Sequence, residues 1–172
     1  MHTNEILQTT FENIRELVRG SVGGLDADAL IWRPDPQANT IAWLVWHLTR
    51  IEDDHIAHIA GIEQVWADDG WPERFGLPAG TMDHGYGHTP EQVAAVRPAG
   101  ADVLIEYHDL VADQTLHYLG KVDADELDRV VDRSWDPPVT AGVRLTSVIG
   151  DTLQHVGQAA YVRGLYERRA RE

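Results

Sequence analysis

Apolar positions along the chain recur at steps of three and four, not two, and this spacing predicts helices throughout. The first periodic segment runs from about Thr3 to Arg19. Ile6, Leu7, Phe11, Ile14, Leu17 and Val18 form one stripe of an amphipathic helix, which Gly20, Gly23 and Gly24 are expected to end. The stretch LDADALIWRPDPQAN carries two prolines and reads as a connection with a short helical turn around Asp26 to Leu30. Asn39 or Thr40 then caps a long helix ending near Gly61. Its stripe is Ile41, Leu44, Leu48, Ile51, His55, Ile59 and Ile62.

From Ile62 to Thr89 the pattern is lost among repeated Gly and Pro. A connection this long inside a compact domain is often functional. Thr89-Pro90-Glu91 reads as the start of a short helix reaching about Arg97. A third long helix spans Asp102 to Leu119, with Val103, Tyr107, Leu110, Val111, Gln114 and Tyr118 inward. Asp123 to Val131 suggests one more short helix, and RSWDPPVTAG is irregular or extended because Pro137-Pro138 forbids helix. The last long helix is expected from Leu145 or Thr146 to about Arg169. No strand run is convincing. The sum is an all-α protein: a four-helix bundle in one domain over residues 1–172, with short helical pieces in the long connection between the second and third long helices.

Composition narrows the class. The 172 residues are enough to bury a real core, and no apolar run approaches a membrane span. No signal peptide is visible at the N-terminus, so the cytoplasm is the default expectation. Net charge is −14, from 28 acidic and 14 basic residues, which argues against nucleic acid as a partner. The basic residues are nearly all arginine, a skew that fits a GC-rich genome. With no cysteine there is no disulfide framework, thiolate zinc site or cysteine nucleophile, so any metal must be held by His, Asp or Glu.

Within the last helix, Asp151 and His155 stand four residues apart, about 40° from each other around the axis. They lie in the apolar stripe of Val148, Ala159 and Val162. Buried ionisable groups are costly unless paired, hydrogen-bonded or bound to a metal. Asp-x-x-x-His on one helical face is a good two-ligand geometry for a divalent cation. Of the nine histidines, His2 is terminal, His108 and His117 fall on the polar flank of the third long helix, and His58 reads as exposed. His55 reads as a core imidazole. His47 lies at the edge of its stripe, facing a helix–helix groove, and with Asp151 and His155 it completes a three-ligand set that leaves coordination positions open.

The segments NTIAWLVWHL (39–48) and DTLQHVGQ (151–158) resemble the DinB-like (YfiT-like) four-helix superfamily of metalloenzymes, in order and over essentially the whole chain. The resemblance implies a divalent metal, zinc most often and nickel in some members, held by His47, Asp151 and His155. It departs at Asp151, where relatives usually carry His or Glu; the shorter side chain brings the metal nearer the last helix or leaves Asp151 orienting His155. Relatives include mycothiol-dependent maleylpyruvate isomerase and transferases that use other low-molecular-weight thiols.

The implied activity is therefore that of a metal-dependent S-transferase or isomerase using a small-molecule substrate and a low-molecular-weight thiol, mycothiol being the natural one for a GC-rich genome. A zinc-hydroxide hydrolase and a non-enzymatic metal-binding or interaction module are the alternatives. Three further residues are candidates around the site. His88 is a candidate acid/base or a loop histidine, and Arg144 holds an anionic substrate group or makes a structural ion pair. Gln158 touches a metal-bound ligand or satisfies backbone. The bundle and the six tryptophans also point to a homodimer.

Overall fold

A computed structural model describes residues 2–68 and 70–169. Among the described residues, eight α-helices run in chain order: α1 (Thr3–Val22), α2 (Ala27–Ile31), α3 (Ile41–Ala60), α4 (Trp71–Arg74), α5 (Pro90–Ala95), α6 (Ala101–Leu119), α7 (Ala124–Asp128) and α8 (Ala141–Arg169). The four long ones, α1, α3, α6 and α8, form the expected four-helix bundle. Helix α3 packs on α8 and α6, and α1 closes the ring against the same two. Among the described residues, no helix is long and apolar enough to cross a membrane.

Local chemistry fixes the ends of the elements. The Thr40 hydroxyl accepts from the Trp43 amide at 3.0 Å and starts α3, while Gly61, at φ 67°, ends it in the left-handed region. Thr89 and Gln92 form a reciprocal capping box around Pro90 at the head of α5.

Several boundaries differ from the sequence expectation. Helix α1 continues through Gly20 to Val22, because Ser21 and Val22 are drawn into the core and Arg163 binds the Gly20 and Gly23 carbonyls. Helix α8 begins four residues early, at Ala141. Ala141 is buried, and Gly142 lets the Leu127 carbonyl approach where a Cβ would stand 3.2 Å from it. A small antiparallel hairpin, β1 (Val130–Asp132) and β2 (Val139–Thr140), brackets the proline pair where no strand was expected; α7 stops at Asp128, so Val130 and Val131, expected at the end of a short helix, pair in β1.

Two helices bury faces other than those expected. In α6 the inner face is Leu104, Tyr107, His108, Val111, Ala112, Thr115 and Leu119, and Leu110 is exposed. His108 and Thr115, outside the expected stripe, are buried beside the equally buried Glu52, whose carboxylate accepts from Thr115 at 2.7 Å. His108 is thus not on a solvated flank. In α3 every residue from Ile41 to Arg50 is buried, because α2, α6, α8 and the α3–α6 connection cover it on all sides. Ile51 and His55 are only half-buried, and Ile62 is exposed.

Candidate metal centre

Helices α3 and α8 bring His47, Asp151 and His155 together midway along their shared groove. One candidate ligand atom from each lies within 4.8 Å of the others. His47 Nε2 stands 4.0 Å from Asp151 Oδ2, and the two imidazoles meet edge to face at 4.7 Å between centroids. His47 is buried, while Asp151 and His155 are half-buried.

Hydrogen bonds set which nitrogen each imidazole offers. His47 Nδ1 lies 2.5 Å from the His84 carbonyl, and His155 Nδ1 lies 2.8 Å from the Asp151 carbonyl. A carbonyl only accepts, so each Nδ1 carries the proton and donates it. Both Nε2 lone pairs are left for a cation, the usual second-partner arrangement of metal-binding histidines. Burial lowers the His47 pKa, and the neighbouring His155 adds to this, which keeps the ring in its neutral, ligating form. Asp151 Oδ2 is buried with no hydrogen-bond partner. A buried carboxylate oxygen without a donor, beside two free imidazole lone pairs, fits a divalent cation.

Residues 81–88, within the long connection, form a strap over the site; of these the sequence singles out only His88 as a site candidate. The strap supplies the His84 carbonyl. Arg50, fully buried one turn after His47, holds the strap from below: its Nε donates to the Asp83 carbonyl at 3.2 Å and one terminal nitrogen to the Met82 carbonyl at 3.3 Å. The other nitrogen reaches Asp53, Gln64 and Tyr107. Gly85, at φ 92°, rests on the α3 surface; a Cβ there would lie 2.8 Å from the Trp46 ring and 3.1 Å from His47 Nδ1. Only glycine combines that backbone angle with that closeness. Its signal in the sequence was the run Gly80, Gly85 and Gly87, together with an arginine inside an otherwise buried helix.

The remaining candidates fall in three different places. His88 is next to the site, but both its nitrogens are engaged: Nδ1 accepts from Trp43 Nε1 at 3.0 Å, and Nε2 meets Asp83 Oδ2 at 2.8 Å. Trp43 in turn stacks on His47 at 4.7 Å and 7°. Both contacts of His88 tie it to its neighbours, Trp43 on α3 and Asp83 on the strap. Arg144 donates to Asp132 Oδ2 at 3.2 Å, the ion-pair alternative, and lines a cleft further along the groove. Gln158 is exposed and lines a separate 550 Å³ groove with Asn39 and Tyr161, to which none of the three candidate ligands contributes.

Residues 6–168 match the family model for mycothiol S-transferases. The chain belongs to the mycothiol S-transferase family. This agrees with the DinB-like resemblance in the sequence. A solved structure described as a conserved protein of a locus from Enterococcus faecalis has the same fold, with a TM-score of 0.86 and 32% identity. The match covers 96% of this chain and 98% of that one. No curated protein matches the sequence. The family assignment indicates a small-molecule thiol as substrate class, and the His–Asp–His cluster brings together residues suited to a divalent cation.

Proposed function

We propose that this protein is a zinc-dependent S-transferase that moves mycothiol onto a small electrophile. The observation that carries the reading is the partnerless Asp151 Oδ2 facing two imidazoles whose Nδ1 protons are already committed. His47, Asp151 and His155 would hold the ion, and a two-nitrogen, one-oxygen donor set suits zinc, with nickel as the alternative. When bound, a divalent cation with open positions supplies Lewis acidity that lowers the pKa of an arriving thiol.

The chain's own groups do the rest. The His84 carbonyl and the Asp151 carbonyl orient the two rings, and Trp43 covers one face of His47 against water. Because the chain has no cysteine, the sulfur must arrive with the cosubstrate. In the transfer, the thiol sulfur forms a bond to the electrophilic carbon as the leaving group departs with its electron pair, and the thiol proton passes to solvent.

Elemental analysis of the purified protein, paired with turnover of mycothiol and a fluorogenic alkyl halide, tests this reading. His47→Ala is expected to lose both bound metal and turnover. Wild-type metal content and rate in that variant would sink the proposal, and hydrolysis in the absence of any thiol would point to a hydrolase.

A further inference from the structure

A sizeable cleft lies outside the ligand cluster. It measures about 730 Å³ and lies further along the α3–α8 groove, closed on one side by β1 and on another by the strap at Met82. Helices α3 and α8 run antiparallel, so positions beyond His47 on α3 face positions before Asp151 on α8. His55, eight residues after His47, lies about 12 Å along the axis, and Arg144, seven before Asp151, about 10 Å. Both line the cleft. It is therefore an extension of the metal groove, one ligand's length away.

Its chemistry is mixed in a specific way. Acceptors come from Asp54, Glu63 and Asp132, and donors from Arg144, His55 and His58, with Met82, Ile62 and Val131 as apolar wall. Arg144 Nε is buried with no partner, although the same guanidinium is anchored on Asp132. Asp54 is anchored through one oxygen by Gln64 at 2.8 Å, while its other oxygen has only a 3.5 Å approach from His55 Nδ1. Burial, and next the charge of Arg144, lower the His55 pKa, so that this ring stays neutral and offers both a donor and an acceptor.

Three carboxylates against one guanidinium, in a chain of net charge −14, disfavour a phosphate or other strong anion. Alternating donors and acceptors over an apolar wall suit a neutral, hydroxyl-rich ring system, which presents hydroxyls at its edge and C–H groups on its faces. Mycothiol has that chemistry: a cysteinyl arm carrying the thiol is joined by an amide to an amino sugar linked to a cyclitol.

We infer that the cleft between α3, α8 and β1 is the subsite for the hydroxylated rings of the thiol cosubstrate, with Arg144, His55 and Asp54 as its polar contacts. The inference rests on the S-transferase reading for the direction in which the thiol points, and on the cleft's own chemistry for what it holds. The arm then spans the groove from the cleft to His47 and Asp151. Arg144 thus acts on the cosubstrate through its free Nε–H, a donor that the Asp132 ion pair leaves available.

The test is calorimetric titration of the thiol-free glucosaminyl-inositol into the full-length protein. Wild type is expected to bind it, and Arg144→Gln and Asp54→Asn, on opposite walls, each to weaken binding about tenfold or more, as for loss of a hydrogen bond to a charged group. His47→Ala is expected to bind it as wild type does. Absence of binding to wild type, or wild-type affinity in two variants whose melting temperatures show them folded, overturns the inference. Because the probe has no sulfur, these results do not depend on turnover: ring binding without thiol transfer would fail the transferase reading alone, and transfer without ring binding would fail the subsite alone.

Discussion

His47 Nδ1 donates its proton to the carbonyl of His84, 37 residues further along the chain, at 2.5 Å. One contact thus joins a buried ligand on α3 to a strap that has no helix or strand of its own. It fixes both the tautomer and the ring angle of His47, and it makes the strap part of the candidate metal centre.

Gly85→Ala tests that dependence. The added methyl would stand 2.8 Å from the Trp46 ring and 3.1 Å from His47 Nδ1, at a φ of 92° that L side chains rarely adopt. The strap must lift, and the His84 carbonyl moves with it. Metal affinity, measured by competition with a chromophoric chelator, is expected to fall about 10- to 100-fold, the usual effect of losing an orienting partner. Gly87→Ala is the control, since its φ is 75° but nothing lies within 4 Å of the new methyl. It should carry the backbone strain and leave affinity near wild type.

Arg50→Met is expected to be far more costly to the fold. Arg50 and Asp53 are both fully buried and 3.3 Å apart, and removing one partner of such a pair costs about 3–5 kcal/mol. Burial already raises the Asp53 carboxyl pKa, against hydrogen bonds from Trp66, Tyr107 and Val65 and the charge of Arg50. For a carboxyl raised in the fold, the favourable contribution is present at low pH and is lost as pH rises through the folded value. Without the guanidinium that value climbs further, so the deficit of Arg50→Met relative to wild type should be larger at pH 7 than at pH 4. Urea melts at the two pH values decide it, and an equal deficit at both would refute the account.

Glu126 gives the opposite sign. Two hydrogen bonds from Arg129 hold its pKa at about 2, below its ordinary 4.5, with a further one from the Tyr118 hydroxyl. Its contribution is present above pH 4.5 and is lost as pH falls toward 2, because the unfolded chain binds the proton first. Arg129 also donates to the Ile59 carbonyl, pinning the segment that leads into β1 against α3. Glu126→Gln should therefore flatten the stability curve between pH 4.5 and 2 and leave the rest of the profile in place. A thermal melt series across that window reads the difference.

The bundle was legible because its four long helices carry three-and-four periodicity and proper caps: Thr40, Thr89 and Gly61 all act as the sequence suggests. His47, Asp151 and His155 were legible because polar side chains interrupt apolar stripes at ligand spacing. The buried polar group of Arg50, Glu52, Asp53, His108 and Thr115 was not legible: none of them stands in an expected apolar stripe, yet Arg50 pairs with Asp53 and Thr115 with Glu52 within the core. The strap escaped for a different reason. Its order comes from carbonyls accepting from Arg50, Trp66 and His47, and backbone acceptors leave no trace in residue type.

Asp151→Leu separates what the site does for function from what it does for the fold. In the metal-free protein Asp151 Oδ2 is buried without a donor, and an unsatisfied buried acceptor costs about 1–3 kcal/mol. The side chain is 30% exposed, so the lower end of that range applies, and part of it is offset by the approach of His155 at 3.5 Å. Leucine fills a similar space beside the two imidazoles and asks for no partner. The metal-free variant is expected to be about 1 kcal/mol more stable than metal-free wild type. With zinc added, the order reverses: wild type gains stability by mass action on its folded form, and the variant, left with two imidazoles, gains little. Paired melts with and without zinc measure both halves. If Asp151→Leu is destabilised without metal and stabilised by zinc as strongly as wild type, Asp151 is a structural residue and the ligand set must be drawn without it.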